Sequence, residues 1–342
     1  MLSSRTFRHA AAARTPRRLA LALAPLQRRL AKSRPHRPCA ALFVAPLRAL
    51  SAARGGEAPS AAGSEPPVLA STGGSGVRTL ALNRPRARNA LSTDVLLALQ
   101  RELRAAAEDP GVRVVVLRGS GPAFCSGHDL KEMVALRELE LSGGGGGGGA
   151  AAGGLRAVFD LCSDVMRLVA ELPKPVIAQV HGIATAAGCQ LVASADLAVA
   201  SSSARFATPG VDIGLFCSTP SVALSRCVGR KQSMWMLLTG DMVGAEEARD
   251  LGLVNRVVPD EDLDAEVASL AERVAAKSAE SIRFGKGLFG RQLALPLEDA
   301  YREASTVMVD NMLAEDAGEG ISAFLQKRAP EWPSHRTVEA NK

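Results

Sequence analysis

Residues 174–201 read KPVIAQVHGIATAAGCQLVASADLAVAS, and the changes of period within this stretch decide the fold. Pro175 to Val180 is an apolar, β-branched run of the kind that forms a strand buried on both faces. His181-Gly182 interrupts it, and a small-residue stretch from Ala187 to Ser194 has the character of a helix. After Asp196 a second apolar run begins. Strand, helix, strand in that order is the grammar of a sheet with helices on its faces.

The same grammar extends towards the N-terminus. Residues 77–85, VRTLALNRP, predict a strand that stops at Asn83-Arg84-Pro85. Ser92 or Asn89 then offers an N-cap for a helix over 93–108, spaced through Val95, Leu96, Leu99 and Leu103 and closed by Asp109-Pro110-Gly111. Residues 112–119, VRVVVLRG, predict a buried strand, and 119–133, GSGPAFCSGHDLKEM, a loop entering a short helix. The seven consecutive glycines at 143–149 predict a mobile surface loop, either beside an active-site mouth or, more simply, a tolerated low-complexity insertion. A helix over 155–172 ends at Pro173.

Towards the C-terminus the pattern turns helical. Helices are expected at 219–228, 231–238, 244–250, 262–278, 280–293, 296–314 and 318–326, with 252–259, GLVNRVVP, as an extended segment that pairs with a strand. The hydrophobic content of 47% excludes a wholly disordered chain.

The net charge of +6 hides an asymmetry. Eleven Arg and one Lys lie in residues 1–56, ahead of the first acidic residue, Glu57, so the remainder carries about −6. An Arg-rich, acid-free leader is the composition of a presequence addressed to the mitochondrial matrix; a secretory signal is the weaker alternative. Residues 55–75, rich in Gly, Pro and Ser, read as linker. A negatively charged body argues against nucleic acid as a partner. No apolar run reaches the roughly 20 residues a membrane span needs. The cysteines at 39, 125, 162, 189, 217 and 227 form no CxxC pair and read as buried free thiols, and the five scattered His predict no metal site.

Five segments, in order, carry a family resemblance: LALNRPRARNAL (80–91), AFCSGHDLKEM (123–133), residues 174–201, LLTGDMVGAEEARDLGLVNRVVP (237–259) and EDAGEGISAFLQKRAPEW (315–332). Through them residues 68–332 resemble the enoyl-CoA hydratase/isomerase, or crotonase, family. The resemblance implies an α/β fold, a crotonase-like β-β-α superhelix with a C-terminal helical trimerisation region. It implies a homotrimer or hexamer, an acyl-CoA thioester as substrate or ligand, no permanently bound cofactor, and a place in fatty-acid or lipid metabolism. The expected organisation is leader and linker over 1–66, superhelical core over 67–265 and helical region over 266–342.

The resemblance also implies two backbone N–H groups that receive the thioester oxygen, those of His128 and Ala187. Gly127 and Gly188 beside them permit close backbone approach. The family's two glutamates, which handle the water of hydration, match Gln190 and Gly210. Gln190 can hold a water but has no carboxylate to take its proton, and Gly210 offers neither function. Asp212 matches a catalytic aspartate of dienoyl-CoA isomerase-like members, and acts either as a base or as a turn residue. The imidazole of His128 serves as a base or lines the acyl tunnel, and His181 reads as structural. For CoA the resemblance implies the loop with Ser126, Gly127, Asp129 and Leu130 against the adenine, Arg86 and Arg88 towards the phosphates, and Lys286 with Phe289 closing over the adenine. Two readings follow: an acyl-CoA protein with isomerase- or hydrolase-like activity but not standard hydration, and a non-catalytic acyl-CoA-binding or regulatory homologue. A third, a structural or RNA-binding protein, is opposed by the charge of the body.

Overall fold

The structure is a computed structural model that describes residues 65–143 and 154–336, within one compact unit, Ser64–Lys342. The leader and all but the first of the seven glycines lie outside the described residues.

The described residues open with strands β1 (Val68–Thr72) and β2 (Val77–Leu82), followed by helix α1 (Thr93–Glu108) and strand β3 (Val114–Gly119). Helices α2 (Leu130–Leu141) and α3 (Leu155–Glu171) lead to β4 (Val176–Val180), β5 (Ile183–Thr185) and α4 (Ala187–Ser194). Next come β6 (Leu197–Ser201), β7 (Arg205–Ala207), a 3-10 turn (Pro209–Ile213), and helices α5 (Ser218–Cys227) and α6 (Arg230–Thr239). Strand β8 (Val243–Gly244), helix α7 (Ala245–Asp250) and β9 (Arg256–Val258) complete the turns of strand and helix. Helices α8 (Leu263–Ala275), α9 (Ala279–Gln292), α10 (Leu297–Met312), α11 (Glu315–Leu325) and the short α12 (Pro333–Arg336) follow.

The larger sheet has the order β1-β2-β3-β4-β6-β9, parallel except for the antiparallel β1–β2 pair. The smaller has the order β5-β7-β8. Strands β4 and β6 each hand over within a few residues to a strand of the smaller sheet, β5 and β7, before a helix returns the chain. That is the β-β-α superhelix. β4 is buried along its whole length because both faces are covered. One face meets the main core, which includes Leu99, Leu103, Val165 and Val169 of α1 and α3. The other meets Leu263, Val267, Ala271 and Ala275 of α8, which pack with Val114, Val116, Ile177 and Val199.

Two expectations need correction. The linker read over 55–75 contains β1, whose backbone is recruited by pairing with β2 although most of its side chains are exposed. The boundary expected at 265/266 falls inside α8, which covers the sheet and so belongs to the core. The segment expected to pair, 252–259, does so as β9 against β6.

Candidate active site

Residues 124–129 form the centre of the site, clamped between two other stretches of chain. On one side Phe124 N–H donates to His181 O at 3.0 Å and Cys125 N–H to Ile183 O at 3.1 Å. Thr185 returns the contact, its N–H to Cys125 O at 2.9 Å and its hydroxyl to Ser126 O at 3.1 Å. On the other side Ser126 N–H donates to Arg88 O at 3.0 Å, Leu91 N–H to Gly127 O at 2.7 Å and Asp129 N–H to Leu91 O at 3.1 Å.

The last two bonds make a one-residue parallel bridge between Leu91 and His128. In such a bridge Leu91 uses the groups flanking His128, so the N–H of His128 itself faces away from Leu91. It has no backbone acceptor among the described residues. Ala187 reaches the same condition by a different route. It is the first residue of α4, whose amides there have no intrahelical acceptor. The helix's first internal bond is Gln190 N–H to Ala186 O, 3.0 Å. Ala186 supplies the sharp entry, with φ +50° and ψ −117°, a conformation that costs an alanine on the order of 1–3 kcal/mol. It is held by its own N–H on Ala207 O at 2.9 Å.

The two loops touch. A Cβ built on Gly127, whose φ is +94°, would lie 2.9 Å from Ala186 Cβ and 3.3 Å from the Ala187 nitrogen. Position 188 is tighter still, because its hypothetical Cβ falls 2.1 Å from Cys125 O. Glycine at both positions is therefore a condition of the loops meeting at all.

Asn89 locks this arrangement, a role beyond the N-cap considered from sequence. Ser92 caps α1 instead, through Val95 N–H. Asn89 is 1% exposed, accepts from Arg84 N–H at 2.9 Å, and donates to Ser120 O at 2.9 Å and Ala123 O at 2.7 Å. Asn89→Ala strands one amide and two carbonyls, and is expected to destabilise the protein by about 2–3 kcal/mol. Urea unfolding of the variant beside the parent measures it.

The His128 ring packs edge-on against Phe159, with centroids 5.3 Å apart, and its Nε2 is buried without a hydrogen-bond partner. Burial pulls its pKa down, against the opposing charge of Glu132, so the ring is held neutral. The unfolded chain takes up this proton as pH falls below about 6.5 while the folded chain resists it, so stability is complete above that pH and lost below it. Unfolding free energies at pH 7.5 and 5.5 are expected to differ more in the parent than in His128→Phe, by at most about 1.4 kcal/mol per pH unit.

The remaining expected site residues fall into separate places. Gln190 is 4% exposed with its Oε1 unpartnered, on the first turn of α4 beside Ala187. Thr208, fully buried, has an unpartnered hydroxyl next to the Ala207 carbonyl that holds Ala186, a feature no sequence pattern indicated. At Gly210 a Cβ would meet Leu215 O at 2.8 Å and Cys217 Sγ at 2.9 Å, so the thiol fills the space a side chain would need. Asp212 is exposed on the 3-10 turn, its oxygens 3.1 and 3.2 Å from the place of a Cβ on Gly240 at the end of α6. It takes no part in the contacts that join 124–129 to 181–188.

Two of the residues expected at the CoA subsite are committed elsewhere. Lys286 Nζ is bonded to Asp196 at 2.6 Å, Lys174 O at 3.0 Å and Val169 O at 3.2 Å, which uses all three of its protons to tie α9 to the body. Asp129 caps α2 through Lys131 N–H and pairs with Arg84 at 3.0 Å. Burial pushes its carboxyl up, but these bonds outweigh it and leave the pKa below the ordinary carboxylate range. Arg86, Arg88, Leu130 and Phe289 are exposed, while Ser126 and Gly127 lie in the clamped loop. His181 is satisfied structurally, its Nε2 2.7 Å from Gly121 O.

Residues 72–335 match the enoyl-CoA hydratase/isomerase family profile. The mouse enoyl-CoA hydratase domain-containing protein 3, mitochondrial, is 43% identical over 288 residues, 84% of this chain and 92% of its own. The Xenopus laevis protein of the same name is 46% identical over 257 residues, 75% of this chain and 83% of its own. Among solved structures, an enoyl-CoA hydratase of Mycobacterium smegmatis superimposes with a TM-score of 0.72 at 51% identity, covering 78% of this chain and 99% of that one. Human enoyl-CoA hydratase domain-containing protein 3 does so with 0.71 at 44% identity, covering 78% and 100%. With its superhelix and the loop pairing it builds, the chain belongs to the enoyl-CoA hydratase/isomerase family.

Proposed function

We propose that this chain is a mitochondrial matrix protein of fatty-acid or lipid metabolism that binds an acyl-CoA thioester, with the thioester oxygen on the amides of His128 and Ala187. The observation that carries the reading is the pairing of two loops that each present an amide without a backbone acceptor. Aimed at a developing oxyanion, each such donor contributes roughly 3–4 kcal/mol. Positions 190 and 210 hold an amide and no side chain, so the chemistry is polarisation of the thioester, of isomerase or hydrolase type, and not hydration. Acyl-CoA is the ligand, with no resident cofactor, and the assembly is a homotrimer or a hexamer built from it. The exposed apolar side chains on the later helices, including Leu297, Leu313 and Phe324, support that assembly.

The position of Asp212 favours a second reading, a homologue that holds acyl-CoA without turning it over. Its carboxylate lies at the end of α6, outside the loop pairing. Mass spectrometry of the purified protein against a panel of acyl-CoAs, scoring retained ester and converted product, separates the two. Under the first reading Asp212→Asn lowers turnover of the best substrate by at least about 100-fold and leaves retention unchanged. Full turnover in that variant removes Asp212 from the mechanism. Retention without product across the panel establishes the second reading, and no retention at all removes both.

A further inference from the structure

At the opposite end of the sheet from the paired loops, the segments that enter β3 and β4 face α9 and the α10–α11 junction across a cleft of about 660 Å³. Its walls include Pro110, Arg113, Pro173, Lys174, Ile282 and Arg283. Lys174 is the unusual member. Its ammonium donates to the Asp109 backbone carbonyl, and no carboxylate stands within ion-pair reach of it among the described residues. The nearby Asp109 carboxylate is already held by Arg78 at 2.9 Å. Lys286, the other lysine with a buried ammonium, is by contrast paired directly with Asp196. The remaining described lysines, Lys131, Lys231, Lys277 and Lys327, are exposed.

The charges facing Lys174 come from every wall. Asp109 and Arg78 oppose each other beside it, and Arg113 has no ion-pair partner among the described residues. Arg283 is 3.8 Å from Glu280. Asp316 is engaged by the Ser278 and Ser334 hydroxyls, and Glu315 completes the set. Burial lowers the Lys174 pKa to about 8, with Arg78 adding to the fall and Asp109 opposing it. A half-buried amine with two guanidinium groups lining the same cleft has a free base ready at mildly alkaline pH and a place for an anionic donor to dock.

We propose that Lys174 is a covalent acylation site for acyl thioesters. The neutral amine attacks the thioester carbonyl carbon, a C–N bond forms as the C–S bond breaks, and the thiolate leaves and takes up the proton released by nitrogen. The amide product keeps one N–H for the Asp109 carbonyl, so the modification fits the existing hydrogen bond. The proposal does not depend on the reading of residues 128 and 187.

The test incubates the full chain with acetyl-CoA between pH 7 and 10 and follows acetylation of each lysine by peptide mass spectrometry. Lys174 is expected to react on the order of 10-fold faster than Lys131, Lys231, Lys277 and Lys327 at pH 8, with a rate that levels off just above pH 8. The exposed lysines should keep rising towards pH 10. Acetyl N-acetylcysteamine, a thioester without phosphates, should show the same pH profile with a smaller advantage for Lys174. A Lys174 rate no higher than that of the exposed lysines, or one that climbs with theirs through pH 10, overturns the proposal.

Discussion

Gly188→Ala is expected to destabilise the protein by about 3 kcal/mol or more and to abolish retention of acyl-CoA. The added methyl would lie 2.1 Å from Cys125 O, 2.8 Å from Cys125 C and 2.9 Å from Cys125 Cβ. These neighbours are mainly backbone, so no rotamer change relieves the overlap and one of the two chain segments must move. Cys125 cannot move alone, because its N–H is bonded to Ile183 O and its carbonyl accepts from Thr185 N–H. The displacement therefore separates 124–128 from 183–188, the pairing on which the proposed site depends. Urea unfolding and ester retention are the two measurements. An alanine variant with parental stability and parental retention would mean that the loops do not approach as closely as described. Gly229→Ala is the control, since open space surrounds that position.

Lys286→Met is expected to cost about 3 kcal/mol by a different mechanism. The lysine side chain is 10% exposed and Asp196 29%, and burial lowers the pKa of the first and raises that of the second, each opposed by the other's charge. Removing the ammonium leaves the carboxylate in this environment with backbone donors alone to hold it, the Val176 N–H at 2.7 Å and the N–H of Asp196 itself. Breaking a buried pair from one side costs about 3–5 kcal/mol, and the partial exposure of Asp196 places this case at the lower end. Adding Asp196→Asn should restore a large part of the loss, because the amide oxygen still accepts from Val176 and no unpaired charge remains. Chemical denaturation of the single and double variants decides the point. A double variant no more stable than Lys286→Met would locate the loss in the packing of the lysine stem, not in the stranded charge.

The contrast between these residues shows what could be read from the chain. Gly188 was legible because its surroundings in the chain are, a small residue inside a small-residue helix start next to a strand ending in His181-Gly182, although the backbone it must clear, that of Cys125, belongs to another segment. Lys286 reads from sequence as a CoA contact because its partner, Asp196, lies 90 residues away in the chain. Asp129 and Asn89 follow the same rule, each meeting partners more than 30 residues distant. A charged or amide side chain in a sequence announces that it needs a partner, and only the packing of elements says which one.

The residues on which the two loops meet were implied by the family resemblance of the motifs, whereas the sequence by itself determined the alternation of strand and helix and the helical second half. Those features follow from backbone conformational preference and from the period of apolar residues, both of which act over a few residues. Tertiary structure alone decided that β1 joins the sheet, that α8 belongs to the core, that Cys217 fills the space at Gly210, and that Asp212 lies at the end of α6. Each is settled by which surfaces are left uncovered once the superhelix has wound, a property of the whole chain and of no segment within it.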